Sequence, residues 1–182
     1  MLHEAHLLAI QGDDDTRLRH IIEQDSTLLQ QTDDHGRTPL ILAVSAGHLA
    51  TIALLVELGA DIEATSLDRR TPLHWAVVSH RPWTVEVLAK LGADPHAREE
   101  PLDMIVPGEV EKRGKTPLDL ASDKHGKDPV YRHIAAYLRR YEAARAQGLP
   151  APDMDEVPWK VHARTAGTDT APTTADDESR GA

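Results

Sequence analysis

Thr71-Pro72-Leu73-His74-Trp75-Ala76 is the stretch on which the reading of this chain turns, because Thr-Pro-Leu also stands at Thr38-Pro39-Leu40 and at Thr116-Pro117-Leu118. A threonine caps a helix by accepting from the backbone N–H groups of the first turn. A proline at the next position sacrifices nothing there, since the donor it lacks is one that the helix leaves unused. The three tripeptides therefore predict three helices that begin alike. The first two threonines are 33 residues apart, and a fixed period of that length marks a chain built from stacked copies of one small unit.

The copies agree well beyond their openings. From Asp33 onward the chain carries Gly36, Ala43, Gly47, His48, Ile52, Leu55, Gly59, Ala60 and Asp61, and the next unit keeps His74, Ala76, Val85, Leu88, Gly92, Ala93 and Asp94. This pattern resembles the ankyrin repeat, in which a β-turn finger is followed by two antiparallel helices. The resemblance implies an all-α fold, an ankyrin-repeat solenoid of about four helix-turn-helix units with β-turn fingers. The units are expected at about 1–32, 33–65, 66–98 and 111–147, with an insertion near 98–111 and a disordered tail over 148–182.

Within this frame Gly36 suits the positive φ of a finger turn, and Gly59 the left-handed residue after a second helix. Ile52, Leu55 and Val56 share one helical face. The second full unit departs at Arg69, which replaces the finger glycine, and at His80-Arg81-Pro82, where the family has Gly-His. Those departures leave the geometry of two turns open. The resemblance assigns His74 a structural role, hydrogen-bonding finger backbone.

Residues 4–32 keep the apolar spacing of a unit without its Thr-Pro-Leu. Leu18, Ile21 and Ile22 align with Ile52, Leu55 and Val56 if one residue is inserted in the turn Asp13-Asp14-Asp15. The aspartates precede a helix, where the exposed N–H groups favour negative charge, and a capping role is preferred to metal binding. The polar residues His3, Glu4, Arg17, Arg19, His20 and Glu23 suit the free face of a terminal unit. His3-Glu4-Ala5-His6 is one residue short of the zinc-protease motif His-Glu-x-x-His, which needs its two histidines four apart on one helical face. A solvated helix start is the preferred reading.

The third Thr-Pro-Leu arrives 45 residues after the second rather than 33, so twelve residues are added before it. The added stretch holds Leu102, Met104, Ile105, Val106 and Val110 around Pro107-Gly108, and is expected to fold back on the repeats or to project toward a partner. Asp128-Pro129 then opens a long helix with Ile134, Tyr137, Leu138 and Tyr141 as its apolar stripe. After Gly148 the composition turns to Pro, Ala, Thr, Asp and Ser. Trp159 is the one large apolar anchor there, within a candidate docking motif Val157-Pro158-Trp159.

Composition narrows the function classes. The chain of 182 residues has no cysteine, which removes disulfide frameworks, thiolate metal sites and cysteine nucleophiles together. With 30 acidic and 20 basic side chains the net charge is −10, which disfavours nonspecific attraction to nucleic acid or anionic lipid. No apolar run approaches the length of a membrane span. A cytoplasmic monomer is expected. The 11 histidines are scattered, and no phosphate loop, nucleophile elbow or zinc-binding histidine pair accompanies them. No catalytic, cofactor or metal residue is assigned.

The resemblance implies a non-catalytic protein-protein interaction module, a regulator, inhibitor or adaptor that grips another protein with its concave groove and finger tips. Positions four, seven and eight after each threonine face the groove in this family. Here they are Leu42, Ser45 and Ala46, then Trp75, Val78 and Ser79, then Leu120, Asp123 and Lys124. Arg37, Arg69, Arg70 and Lys115 add positive charge at the fingers, so the partner is expected to offer an acidic segment with an apolar anchor. The rival is a metal-dependent enzyme or sensor whose histidines and carboxylates converge only in the fold. It requires at least three such side chains in one pocket.

Overall fold

A computed structural model of the protein describes residues 4–12, 14–99, 114–124 and 128–154, with the backbone alone at Lys124. Among these residues there are eight α-helices, a short 3-10 turn and no strand. The helices come in pairs: α1 Glu4–Gln11 with α2 Asp15–Gln24, α3 Pro39–Ala46 with α4 Leu49–Glu57, α5 Pro72–Val78 with α6 Pro82–Lys90, and α7 Pro117–Lys124 with α8 Pro129–Ala146. The 3-10 turn is Ser26–Leu29. The first helices form one row, α1 on α3, α3 on α5 and α5 on α7. The second helices form another, α2 on α4, α4 on α6 and α6 on α8.

Each Thr-Pro-Leu does open a helix, and the residue after it decides how the cap is closed. Thr38 accepts from the N–H of Ile41 at 3.4 Å, with no polar side chain to answer it. At the second copy Nδ1 of His74 accepts from the N–H of Thr71 at 3.2 Å. At the third, Asp119 accepts from the N–H of Thr116 at 3.0 Å while its own N–H donates back to the Thr116 hydroxyl at 3.1 Å, a complete capping box.

Helix ends repeat with the same fidelity. Gly47 closes α3 at φ 87°, and 33 residues on His80 closes the turn after α5 at φ 56°. Gly36 in the first finger has φ 71°, and its counterpart Arg69 has φ 57°. The two departures from glycine therefore keep the left-handed backbone rather than remodel the turns. An L side chain carries strain there, of about 1 kcal/mol or more.

One core runs through the stack. Each unit contributes the same kind of residue to it: Leu18 and Ile22, then Ile52 and Leu55, then Val85 and Leu88, then Ile134 and Leu138, all buried. No unit could bury these faces alone, which is why the array is cooperative.

Two expectations change at the ends. His6 is fully buried, not solvated, and its Nε2 lies 3.1 Å from the carbonyl oxygen of Gln31. His6 thus stands where a later unit has His74. At the other end the chain does not leave the body at Gly148. Residues up to Met154 turn back over α6 and α8: Tyr137 donates to the carbonyl of Pro152 at 3.1 Å, Lys90 pairs with Asp153 at 2.7 Å, and Met154 is buried. A lone methionine in a polar stretch has no periodicity to advertise it. Val157-Pro158-Trp159 lies outside the described residues.

Candidate functional site

The fingers fix the upper rim of the first-helix row. In the first, the Asp33 carboxylate accepts from the N–H groups of His35 and Arg37 at 2.9 and 2.8 Å, and from Arg37 Nε at 2.8 Å. Burial pushes this carboxyl up, but the Arg37 bonds outweigh it and hold the group below the usual carboxylate range. The finger base recurs with a backbone bond from Asp33 to Arg37, from Ser66 to Arg70 and from Glu99 to Lys115. In the third copy this bond closes over sixteen residues instead of four. Of the expected insertion, 98–111, residues 100–111 lie outside the described residues. Adjacent fingers are also linked, since Leu67 N–H donates to the carbonyl of His35 at 3.0 Å.

Trp75 stands under this rim, half-buried on α5. Its indole N–H donates to the Ser66 hydroxyl at 3.2 Å, and the guanidinium carbons of Arg37 and Arg70 each lie 6.0 Å from the ring centroid. The ring is held at its polar end, lies near two cations and keeps part of its surface exposed. Directly behind it His74 is fully buried. Its Nδ1 accepts from Thr71, so Nε2 carries the proton and donates to the carbonyl of Lys115 at 3.0 Å. Burial holds this imidazole below its ordinary value; Arg70 works the same way, against the Lys115 bond and Glu99. The structural role that the resemblance assigned to His74 is the one it has.

The other expected contact residues divide by exposure. Ser45, Ala46, Val78 and Ser79 are partly exposed, with the Ser45 hydroxyl turned to the carbonyl of Ile41 at 2.9 Å. Asp123 is exposed and Lys124 lies at the end of α7. Leu42 and Leu120, however, retain only 4% and 5% of their surface. They floor the row, and Trp75 alone of the three rises from it.

The finger cations are already engaged. Arg37 pairs with Asp33 at 2.7 Å, Arg70 with Glu99 at 2.6 Å, and Lys115 with Asp123 at 2.7 Å. Arg69 is exposed at its fingertip. A partner carboxylate would have to displace Glu99 to reach Arg70.

The row also begins earlier than the Thr-Pro-Leu copies suggest. Gly12 closes α1 at φ 66° as Gly47 closes α3, and Gly12 N–H donates to Leu8 as Gly47 N–H donates to Ala43. In that register Leu7, Ile10 and Gln11 hold the places of Leu42, Ser45 and Ala46. Leu7 and Ile10 are exposed, at 46% and 41%. The amino-terminal unit is therefore not polar all round, because two of its three groove positions are apolar. The signal lay in the paired spacing of His6 and Gly12, which matches His74 and His80.

Among the described residues no three histidine or carboxylate side chains gather as a metal ion would require. An open depression of about 340 Å³ between α2 and α4 lies on the other helix row, where Arg19 and Glu57 pair across it at 3.1 Å and Asp15 accepts from Thr51 at 2.7 Å. No described helix is long and apolar enough to cross a membrane. A family model for ankyrin repeats, in three copies, matches residues 5–99, just over half of the chain. No curated protein matches it.

Proposed function

The chain belongs to the ankyrin-repeat family, whose repeats generally serve as protein-protein interaction modules, and from that premise we propose that it is a non-catalytic adaptor or regulator. It grips one partner protein along the first-helix row beneath the fingers. The binding body runs from α1 to the return segment ending at Met154, in the cytoplasm and as a monomer. The carrying observation is Trp75: a large ring with exposed surface, locked by Ser66 and flanked by Arg37 and Arg70. A preorganised aromatic loses little rotamer freedom on binding and makes an efficient anchor.

Ser45, Ala46, Val78 and Ser79 extend the contact around it, over the floor made by Leu42 and Leu120. Arg37, Arg69, Arg70 and Lys115 tune the rim by exchanging ion-pair partners, and Asp123 and Lys124 close the carboxy-terminal end. The test is capture from an extract of the native organism with the full chain immobilised. A protein retained by the wild type should be lost or weakened by about 2 kcal/mol with Trp75→Ala, with helicity by circular dichroism unchanged. Equal retention by both would remove the groove from consideration.

A further inference from the structure

The described first helices carry an uncharged strip that is longer than the Trp75 site. None of the nine residues at the groove positions of α1, α3 and α5 is charged, although charged residues make up 27% of the chain. Charge enters these positions only at α7, with Asp123 and Lys124. Along the strip, exposed Leu7 and Ile10 stand at one side and Trp75 with Val78 at the other, and between them α3 presents only Ser45 and Ala46. Large side chains on two helices with small ones on the helix between them make a trough.

Resting on the reading that this face binds a protein, we infer that the partner enters the trough as an α-helix laid across α1, α3 and α5, with an apolar, uncharged stripe that repeats every seven residues. Packed helices stand about 8–10 Å apart, and seven residues of α-helix advance about 10.5 Å and return to nearly the same face. Successive heptad positions thus meet successive units. An extended segment repeats a face every ~6.7 Å, so its side chains fall out of step with units about 10 Å apart. The uncharged groove positions select against the rest of the partner's surface, since a lysine or glutamate pressed on the α1 and α3 part of the strip would be desolvated with no groove-position charge to answer it.

A phage-displayed library of random sixteen-residue segments, panned against the full chain, tests the inference. The recovered segments should carry apolar residues seven apart, become helical when bound, and lose about tenfold or more in affinity against both Ile10→Asp and Trp75→Ala. Ile10 is exposed, so its replacement spares the core. Leu7→Gln provides a milder second variant at the same wall. Segments that alternate every second residue, or that feel Trp75→Ala but neither change in α1, would overturn the helical partner while leaving the groove as the binding face. Segments indifferent to all three variants, or no binder at all, would overturn both.

Discussion

Tyr141 donates its hydroxyl hydrogen to the carbonyl oxygen of Ala93 at 2.7 Å, joining α8 to the turn after α6 across 48 residues. Arg145 reaches the same carbonyl with Nη1 at 3.0 Å, that of Gly92 at 3.1 Å, and the Tyr141 oxygen at 3.3 Å. The last long helix thus satisfies backbone oxygens that the end of α6 leaves without intrahelical donors. Tyr141→Phe should lower stability by only about 1 kcal/mol, because Arg145 continues to satisfy Ala93. Combined with Arg145→Met it should lose more than the two single losses together. Urea denaturation of the four proteins of this cycle checks it, and strict additivity would show that the two side chains do not share the carbonyl.

Arg69 and His80 occupy equivalent strained backbone for unequal returns. Arg69 is an exposed fingertip residue at φ 57°, so Arg69→Gly should raise stability by roughly 0.5–1 kcal/mol, the relief of strain exceeding glycine's extra unfolded entropy. His80 packs on Tyr131 with ring centroids 4.2 Å apart and planes tilted by 58°, and lies 3.3 Å from Asp128, so His80→Gly should gain nothing or lose. Gly36 sits under the neighbouring finger, where an added Cβ would lie 2.7 Å from the backbone nitrogen of Leu67. Gly36→Ala should therefore destabilise by more than about 1 kcal/mol. Thermal midpoints of the three variants falling in any other order would count against this account.

Features that act through a local backbone requirement are legible in this sequence. Thr-Pro places the starts of α3 and α5, and glycine the ends of α3, α4 and α6, almost residue by residue, and the same turns tolerate Arg69 and His80 because backbone geometry, not residue identity, is what repeats. Partner choice across sequence distance is not legible. Arg70 and Lys115 read as available cations until Glu99 and Asp123 are seen beside them. Leu42 and Leu120 share a register position with Trp75, yet register fixes direction and not exposure, since a leucine in that place sinks between neighbours while the longer indole reaches past them. Leu7 and Ile10 escape notice for a different reason: the unit that bears them lacks the threonine from which the register is counted.

His74 predicts a pH dependence with a definite sign. Burial holds its folded value below the ordinary one, and the accepting role of Nδ1 toward Thr71 N–H requires the neutral ring. Above the unfolded value of about 6.5 neither state binds the proton, and this part of the stability is fully present. As pH falls through that value the unfolded chain takes up a proton that the folded one refuses, and stability is lost until the depressed folded value is passed. His74→Gln keeps an acceptor for Thr71 and a donor for Lys115 but cannot titrate. Between pH 7 and 5 the wild type should lose more stability than this variant, with a difference in slope of at most about 1.4 kcal/mol per pH unit. Parallel curves would show that His74 is not the group responsible.

The return segment predicts where the chain can be shortened. Ending it after Met154 keeps the Tyr137 bond to Pro152, the Lys90 pair with Asp153 and the buried methionine. Ending it after Gln147 removes all three. The Lys90–Asp153 pair adds little, since Asp153 is 87% exposed in its side chain and surface ion pairs are screened. Most of the loss should come from uncovering Tyr137 and α8, with the Met154 side chain alone contributing about 2 kcal/mol. The chain ending at Gln147 should therefore melt measurably below the one ending at Met154, and full-length Met154→Ala should recover much of that difference on its own. Equal midpoints for the two shortened chains would mean that residues 148–154 rest on the surface without stabilising it.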